Sequence, residues 1–364
     1  MTNFNEIMGK FQVTGEVTDV QPLGHGRVNH TYEVTCGAER YVLQEINHII
    51  FKYPVDVVNN LFLVTEYMRR QIEREGGDPE RETLTYIRTK AENQLFQTDD
   101  GSYFRLYKMI GDGVEMKKPA SREEAKEAAS AIGKFQHLLT GFPINQLSQT
   151  FPDTHVMKKR VRALLDAVRA DICMRTSNCQ EQIHFVLDRS QRLTLLEEEL
   201  EAGKIPRRVT HNDPGYNNVL LDESTGKALC LIDLDTVMSG SSLSDFGDAV
   251  RMGAASVTEL ERSGDVELNL DYYRAFLEGY LQHMDHHLNG REKELLGYSV
   301  WLSAMESGIC YLTDYLRGDY RSGDFADEKQ NLYSAVNQFY LVLDIEDKKD
   351  SMEDIRREVL MSIE

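Results

Sequence analysis

Three oxygen-bearing side chains could carry out phosphoryl transfer: Asp213, Asn218 and Asp233. The first two lie in His211-Asn212-Asp213-Pro214-Gly215-Tyr216-Asn217-Asn218, and the third in Leu231-Ile232-Asp233-Leu234-Asp235. A carboxylate beside a hydroxyl can orient it for attack and take its proton late. An amide oxygen and a second carboxylate can hold a hard divalent cation against phosphates. The flanking sequence supplies a way of bringing them together. Val219-Leu220-Leu221 and Ala228-Leu229-Cys230-Leu231-Ile232 are apolar runs rich in strand formers, separated by a turn with Gly226 where a positive backbone angle is expected. Folded as a hairpin, these arms bring Asn218 close to Asp233, with Asp213 on the preceding loop. His211 reads as a structural residue that holds that loop by hydrogen bonding.

The pattern His-x-Asp-x-x-x-x-Asn, followed by an apolar strand ending in Ile-Asp, resembles the aminoglycoside phosphotransferase and choline kinase superfamily. The longer text is similar to its bacterial N-acetylhexosamine 1-kinases: Thr210 to Asp213, Asn217 to Asp222, Ile232 to Thr236, Asp245 to Ala249, Tyr41 to Gln44 and Leu312 to Leu316. The resemblance spans nearly the whole chain. It implies an α+β, bilobal, protein-kinase-like fold with a small β-rich N-terminal lobe and a larger, mainly helical C-terminal lobe. It also implies transfer of the ATP γ-phosphate, with Mg2+, to the anomeric hydroxyl of an N-acetylhexosamine. Asp213 would be the catalytic residue, and Asn218 and Asp233 the metal ligands. Two other readings stay open. One is a kinase of another small hydroxylated molecule (a plain hexose, homoserine, an amino alcohol or an aminoglycoside). The other is a nucleotide-binding pseudoenzyme.

Three positions depart from the N-acetylhexosamine 1-kinase pattern. That family has His where this chain has Arg27, Lys where it has Gly215, and Arg where it has Cys310. Asp245-Phe246-Gly247 looks like the protein-kinase metal triplet, but it lies too far beyond Asn218 and at a helix start. Asp245 reads instead as a brace for the catalytic loop, in a helix capped by Ser244.

The elements that must position these groups follow in order. Residues 17–34 read as strand, turn, strand, and Gly24 and Gly26 at the turn could let the backbone approach phosphates. Gly-x-Gly also serves as a plain hairpin turn. The next strand, Tyr41 to Ile46, carries Gln44 where kinase-like folds place a phosphate-pairing Lys. A neutral amide supplies no charge, so Arg27 is the candidate cation, or else a solvated charge at the hairpin tip. Pro54 and Asp56 mark a helix start, with Val57, Leu61, Val64 and Met68 on one face. Strands are expected over 83–88, 93–97 and 102–110. Lys108 to Ile110 would read adenine through the backbone, and the lobe junction is placed after residue 110, giving lobes 1–110 and 111–364. Helices are expected from Ser121, over 161–172, over 183–200, from Asp245, and over 271–289, 292–317, 329–346 and 351–362. Asn29, His30 and Tyr32 after the glycine turn, with Tyr311 and Tyr315 on a late helix, are the expected sugar contacts.

With 364 residues the chain exceeds what one core usually supports. Its 41 Lys+Arg against 60 Asp+Glu, a formal charge of −19, disfavours nucleic acid and anionic membranes as partners. A small sugar and ATP are the expected partners. Five cysteines without metal-ligand spacing read as reduced thiols of a cytoplasmic protein.

Overall fold

The computed structural model describes residues 3–24, 28–318 and 327–363. The chain opens with helix α1 (Phe4–Met8) and strands β1 (Val17–Pro22), β2 (His30–Cys36) and β3 (Glu39–Ile46). Next comes α2 (Pro54–Glu75), which Pro54 starts and Gly76 ends with φ +78°. Its Val57, Leu61, Val64 and Met68 are all buried, as a 3.6-residue period demands. Then follow α3 (Pro79–Glu82), β4 (Thr85–Ile87), β5 (Phe96–Gln97), β6 (Tyr103–Lys108), β7 (Gly113–Glu115), α4 (Arg122–Leu138), α5 (Met157–Ala170), α6 (Gln180–Asp188) and α7 (Leu195–Glu201). Four short strands come next: β8 (Arg208–Thr210), β9 (Val219–Asp222), β10 (Ala228–Leu231) and β11 (Met238–Gly240). Helices α8 (Ser242–Ala254), α9 (Leu270–Met284), α10 (Gly290–Glu294), α11 (Leu296–Arg317), α12 (Gln330–Asp347) and α13 (Lys349–Ile363) complete the α+β fold.

The chain forms two compact units. The first holds Met1–Glu115, Leu138–Pro152 and Leu220–Ser239; the second holds Met116–His137, Asp153–Val219 and Gly240–Glu364. No helix among the described residues is long and apolar enough to cross a membrane.

In the first unit, an antiparallel sheet runs β1-β2-β3-β6-β4, with β5 also on β6. Strand alternation gives it two unlike faces. One face sends Val34, Leu43, Phe104 and Leu106 against Ile7 and Phe11, forming an apolar core. The other carries Thr31, Gln44 and Arg105, which lie in register across β2, β3 and β6. A second sheet, β10-β9-β7, contains the hairpin around Gly226, whose φ is +67°. Strand β7 has no hydrophobic run to announce it; it exists because Gly113 to Glu115 pairs with Asp222 to Leu220.

The second unit is helical, with α5, α8 and α12 packed around α11. Helices α4 and α9 approach unusually closely: a Cβ on Gly133 would lie 2.7 Å from the Tyr280 carbonyl oxygen. Two helix expectations need correction. The run over 183–200 is broken between α6 and α7. There Arg189 leaves helical geometry, its guanidinium lies over Phe185, and Leu193 turns fully inward. The cap of α8 is Ser241, whose hydroxyl accepts the Leu243 N–H at 3.3 Å, so Asp245 lies within the first turn rather than opening the helix after Ser244.

Candidate active site

In the second unit, β8 runs into His211, which is fully buried. His211 Nδ1 accepts the Asp213 backbone N–H at 3.3 Å, which folds the loop back on itself. Asn212 between them has φ +66°, a region where Asn is among the few tolerated side chains. The Asp213 side chain is thereby left open to solvent. Asn218 Nδ2 donates to the Asp213 carbonyl at 2.8 Å, so the Asn218 amide is oriented with its oxygen away from that contact. The surroundings of the Asp213 carboxyl desolvate it and raise its pKa above the ordinary value, and the Asp248 charge adds to the rise.

Asp245 holds this loop. Its fully buried carboxylate accepts the N–H groups of His211 at 2.9 Å and Asn212 at 2.8 Å, and Gln136 Nε2 at 2.8 Å. Gln136 Oε1 in turn accepts the Tyr280 hydroxyl at 2.6 Å, across the tight α4–α9 approach. These three donors fix the carboxylate against the loop backbone.

A further network near Asp213 was not read from the sequence. Arg251 donates to Asp248 at 2.7 and 2.9 Å and also pairs with Glu259. Glu259 accepts the Tyr311 hydroxyl at 2.7 Å and the Ser307 hydroxyl at 3.2 Å. Burial would raise the Glu259 pKa, but Arg251 and these donors hold it below the ordinary value. No local motif marks Glu259; only the spacing of Asp248 and Arg251 on one helix face, three apart, hints at the pair.

In the first unit, the polar sheet face carries a continuous hydrogen-bonded row. Gln44 Nε2 donates to Thr31 Oγ1 at 3.1 Å, and Gln44 Oε1 accepts Arg105 Nε at 2.9 Å. Arg105, 1% exposed, pairs with Asp235, itself 3% exposed. Burial alone would lower the Arg105 pKa, but the Asp235 charge lifts it well above normal. Asp235 also accepts Asn29 Nδ2 at 2.6 Å, and Asn29 Oδ1 accepts the Asn47 N–H at 3.0 Å. Two residues before Asp235, Asp233 is exposed, with φ +57° and ψ +54°.

A family model described as the phosphotransferase enzyme family matches residues 19–286, well over half of the chain. The chain belongs to that family. Its structure is similar to a microcompartment-associated aminopropanol kinase at 16% identity, covering 96% of this chain and 97% of that one, with a TM-score of 0.63. It is also similar to spectinomycin phosphotransferase in complex with ADP and spectinomycin: 15% identity, 94% and 97% coverage, TM-score 0.58. The GDP complex of an aminoglycoside 2'-phosphotransferase is a third: 14% identity, 89% and 93% coverage, TM-score 0.55. At these identities the likeness establishes the fold.

Several residues expected to bind ligands in this phosphotransferase have other occupations. Tyr32 faces the apolar core, edge-on to Phe4 at 4.8 Å between ring centres, because alternation along β2 turns it away from Thr31. Asn29 is buried and spends both ends of its amide on Asp235 and Asn47. His30 is exposed at the start of β2. Tyr315 is buried beneath the Arg175 guanidinium, whereas Tyr311 is half-buried on Glu259. Lys108 pairs with Tyr41 on one side and Thr85 on the other, so its backbone belongs to the sheet; the Ile110 side chain packs on Leu220 and Cys230. Gly24 adopts φ +70°. Gly26 and Arg27 lie outside the described residues. At Gly215, a Cβ would lie 2.5 Å from Asn217 Oδ1 and 3.0 Å from the Met252 methyl, so this loop conformation leaves little room for a longer side chain.

Proposed function

We propose that this phosphotransferase is an ATP-dependent kinase that phosphorylates the anomeric hydroxyl of an N-acetylhexosamine, with Asp213 orienting that hydroxyl and accepting its proton. The observation that carries the kinase reading is the Asp213 loop. It leaves one exposed carboxylate on a backbone fixed by His211, Asn218 and Asp245. A loose phosphoryl-transfer transition state asks for such positioning more than for a strong base. The anomeric hydroxyl is more acidic than its neighbours on the ring, which suits a carboxylate as the proton acceptor. The spectinomycin phosphotransferase neighbour is described with ADP, which supports a nucleotide as donor.

A divalent cation fits the donors present. Asn218 offers an amide oxygen, which accepts Asn217 Nδ2 at 3.2 Å, with its nitrogen committed to the Asp213 carbonyl, and Asp233 an exposed carboxylate. No group of three or more His, Cys, Asp or Glu that could hold a metal occurs among the described residues. Magnesium does not need one, since it takes one or two protein oxygens beside phosphate and water. When bound, the ion would neutralise phosphate charge. Asn218 and Asp233 are the residues proposed to hold it.

The acceptor rests on the resemblance in the active-site block and the end motifs. A second reading, a cationic acceptor, is supported by Asp248 and Glu259 near Asp213 and by the aminopropanol kinase neighbour. Phosphorus NMR of products from N-acetylglucosamine, N-acetylgalactosamine, glucose, galactose and aminopropanol separates the two. An anomeric phosphate on an N-acetylhexosamine at the highest kcat/KM supports the first. Higher efficiency with another acceptor, or phosphate on another hydroxyl, defeats it and leaves the kinase reading standing.

A further inference from the structure

We infer that the buried Arg105–Asp235 ion pair is a positioning device that sets the nucleotide-facing groups of the first unit, doing through Gln44 and Asp233 what a strand lysine would do directly. The inference rests on the reading of this unit as the phosphate-binding one. Position 44 on β3 carries an amide, which has no charge and two interchangeable orientations. Arg105 removes that ambiguity. Its Nε–H must be met by an acceptor, so the Gln44 oxygen faces Arg105 and the nitrogen faces away. One Gln44 N–H goes to Thr31 Oγ1, which leaves the second as a donor of fixed direction. At 1% exposure Arg105 is too deeply buried to meet a phosphate itself, so it acts through the residues it orients.

Asp235 extends the same control to the cation-binding turn. It is held by Arg105 on one oxygen and by Asn29 at 2.6 Å on the other. Asp233, two residues earlier, has a positive φ that is unfavourable for a non-glycine residue and needs support from its surroundings. Asn29 immediately precedes β2, and its oxygen ties down the Asn47 N–H after β3. One ion pair thus fixes the entry to β2, the exit from β3, the Gln44 amide and the Asp233 turn. A buried ion pair is a weak source of stability compared with apolar residues of similar volume, so its positional effect can be separated from folding.

The test uses the full chain and two variants. The first is the double variant Arg105→Met/Asp235→Leu, which replaces the pair by apolar side chains. It leaves Asn29 Nδ2 and Gln44 Oε1 without these partners and should melt several degrees below wild type, yet still fold and show KM for Mg-ATP raised about tenfold or more with a smaller change in kcat, the scale of one or two misdirected hydrogen bonds. The second is Gln44→Glu, which keeps an acceptor for Arg105 but presents no N–H to phosphate. It should fold normally and raise KM for ATP by about tenfold, while KM for the acceptor stays put. If either variant folds and keeps the wild-type KM for Mg-ATP, the positioning role is overturned. If both KM values rise equally with a matching loss of melting temperature, the pair is merely structural and the inference falls too. A wild-type protein with no Mg-ATP thermal shift and no phosphoryl transfer would instead end the nucleotide reading, and this inference with it.

Discussion

Asp213 and Asp233 are both exposed, and both depend on backbone that few side chains accept: Asn212 before the first has φ +66°, and Asp233 itself has φ +57°. Each has a second, buried aspartate close by in the fold or the sequence (Asp245 bonded to the Asp213 loop, Asp235 two residues after Asp233), and there the two units differ. Asp245 in the second unit meets neutral donors, two backbone N–H groups and the Gln136 amide. Asp235 in the first unit meets a permanent cation, Arg105, as well as the Asn29 amide. The first arrangement holds a loop by its backbone, so any side chain may stand at its tip. The second holds a sheet face by its side chains and carries the larger penalty when one partner is lost. Leaving a buried charge unpaired costs more than leaving an N–H unpaired.

That difference sets the largest expected effect. Asp235→Ala strands a guanidinium in the sheet and should destabilise the first unit by about 3–5 kcal/mol. Asp245→Asn keeps the shape and one accepting oxygen, and should cost about 1–3 kcal/mol. Urea unfolding of both variants checks the order; equal losses would mean that the two aspartates anchor their units alike.

Activity should divide along the same line. Asp213→Asn should lower turnover by about 10²-fold or more with nucleotide binding nearly intact. Asp233→Ala should instead abolish the metal-dependent part of ATP binding. Single-turnover rates and Mg-ATP thermal shifts read the two separately. Full activity in the first variant would remove Asp213 from the chemistry, and an unchanged metal requirement in the second would do the same for Asp233.

A smaller effect follows from the Tyr280–Gln136–Asp245 chain. Tyr280→Phe removes the hydroxyl that Gln136 accepts and should cost about 1 kcal/mol, seen as a several-fold fall in kcat with KM for ATP unchanged. A rise in KM for ATP at constant kcat would mean that the brace serves nucleotide binding instead.

The motif block and its hairpin were legible because they are local: a turn glycine, two apolar runs and residues five apart. The family was legible for the same reason. Asp245 was legible as a brace, but its partner Gln136 and the Arg105–Asp235 pair were not, because the partners are distant in sequence. Arg105 and Asp235 are 130 residues apart, and Gln136 and Asp245 are 109 apart. Tyr32 was misread because the face of a strand depends on register, and one residue of difference moves a side chain to the opposite face. The break between α6 and α7 was invisible because Leu193 and Leu196 fit a helical period; the structure buries both through an irregular turn.

The two units also differ in their response to pH. The second unit holds a partly buried ion pair of its own, His155 with Glu306, joined at 2.7 Å and supported by Arg160 at 3.2 Å. Its cation can titrate, whereas Arg105 cannot. Burial alone would lower the His155 pKa, but Glu306 pushes it up to about 9 from an ordinary 6.5. Burial would raise Glu306, but His155 and Arg160 hold it down to about 2 from 4.5. A raised folded-state pKa means that the His155 contribution is complete below pH 6.5 and is lost as pH climbs through about 9. A lowered one means that the Glu306 contribution is complete above pH 4.5 and is lost as pH falls through about 2. The pair therefore contributes most between those inner limits. His155→Gln keeps a donor for Glu306 without the charge, so its melting temperature should trail wild type by a constant margin from about pH 5 to 6.5 and close on it by about pH 9. The Arg105→Met/Asp235→Leu variant has no titrating cation removed, and its margin should stay flat over the same range. A His155→Gln margin that stays flat or widens toward pH 9 would show that the His155 charge is not what this contact contributes.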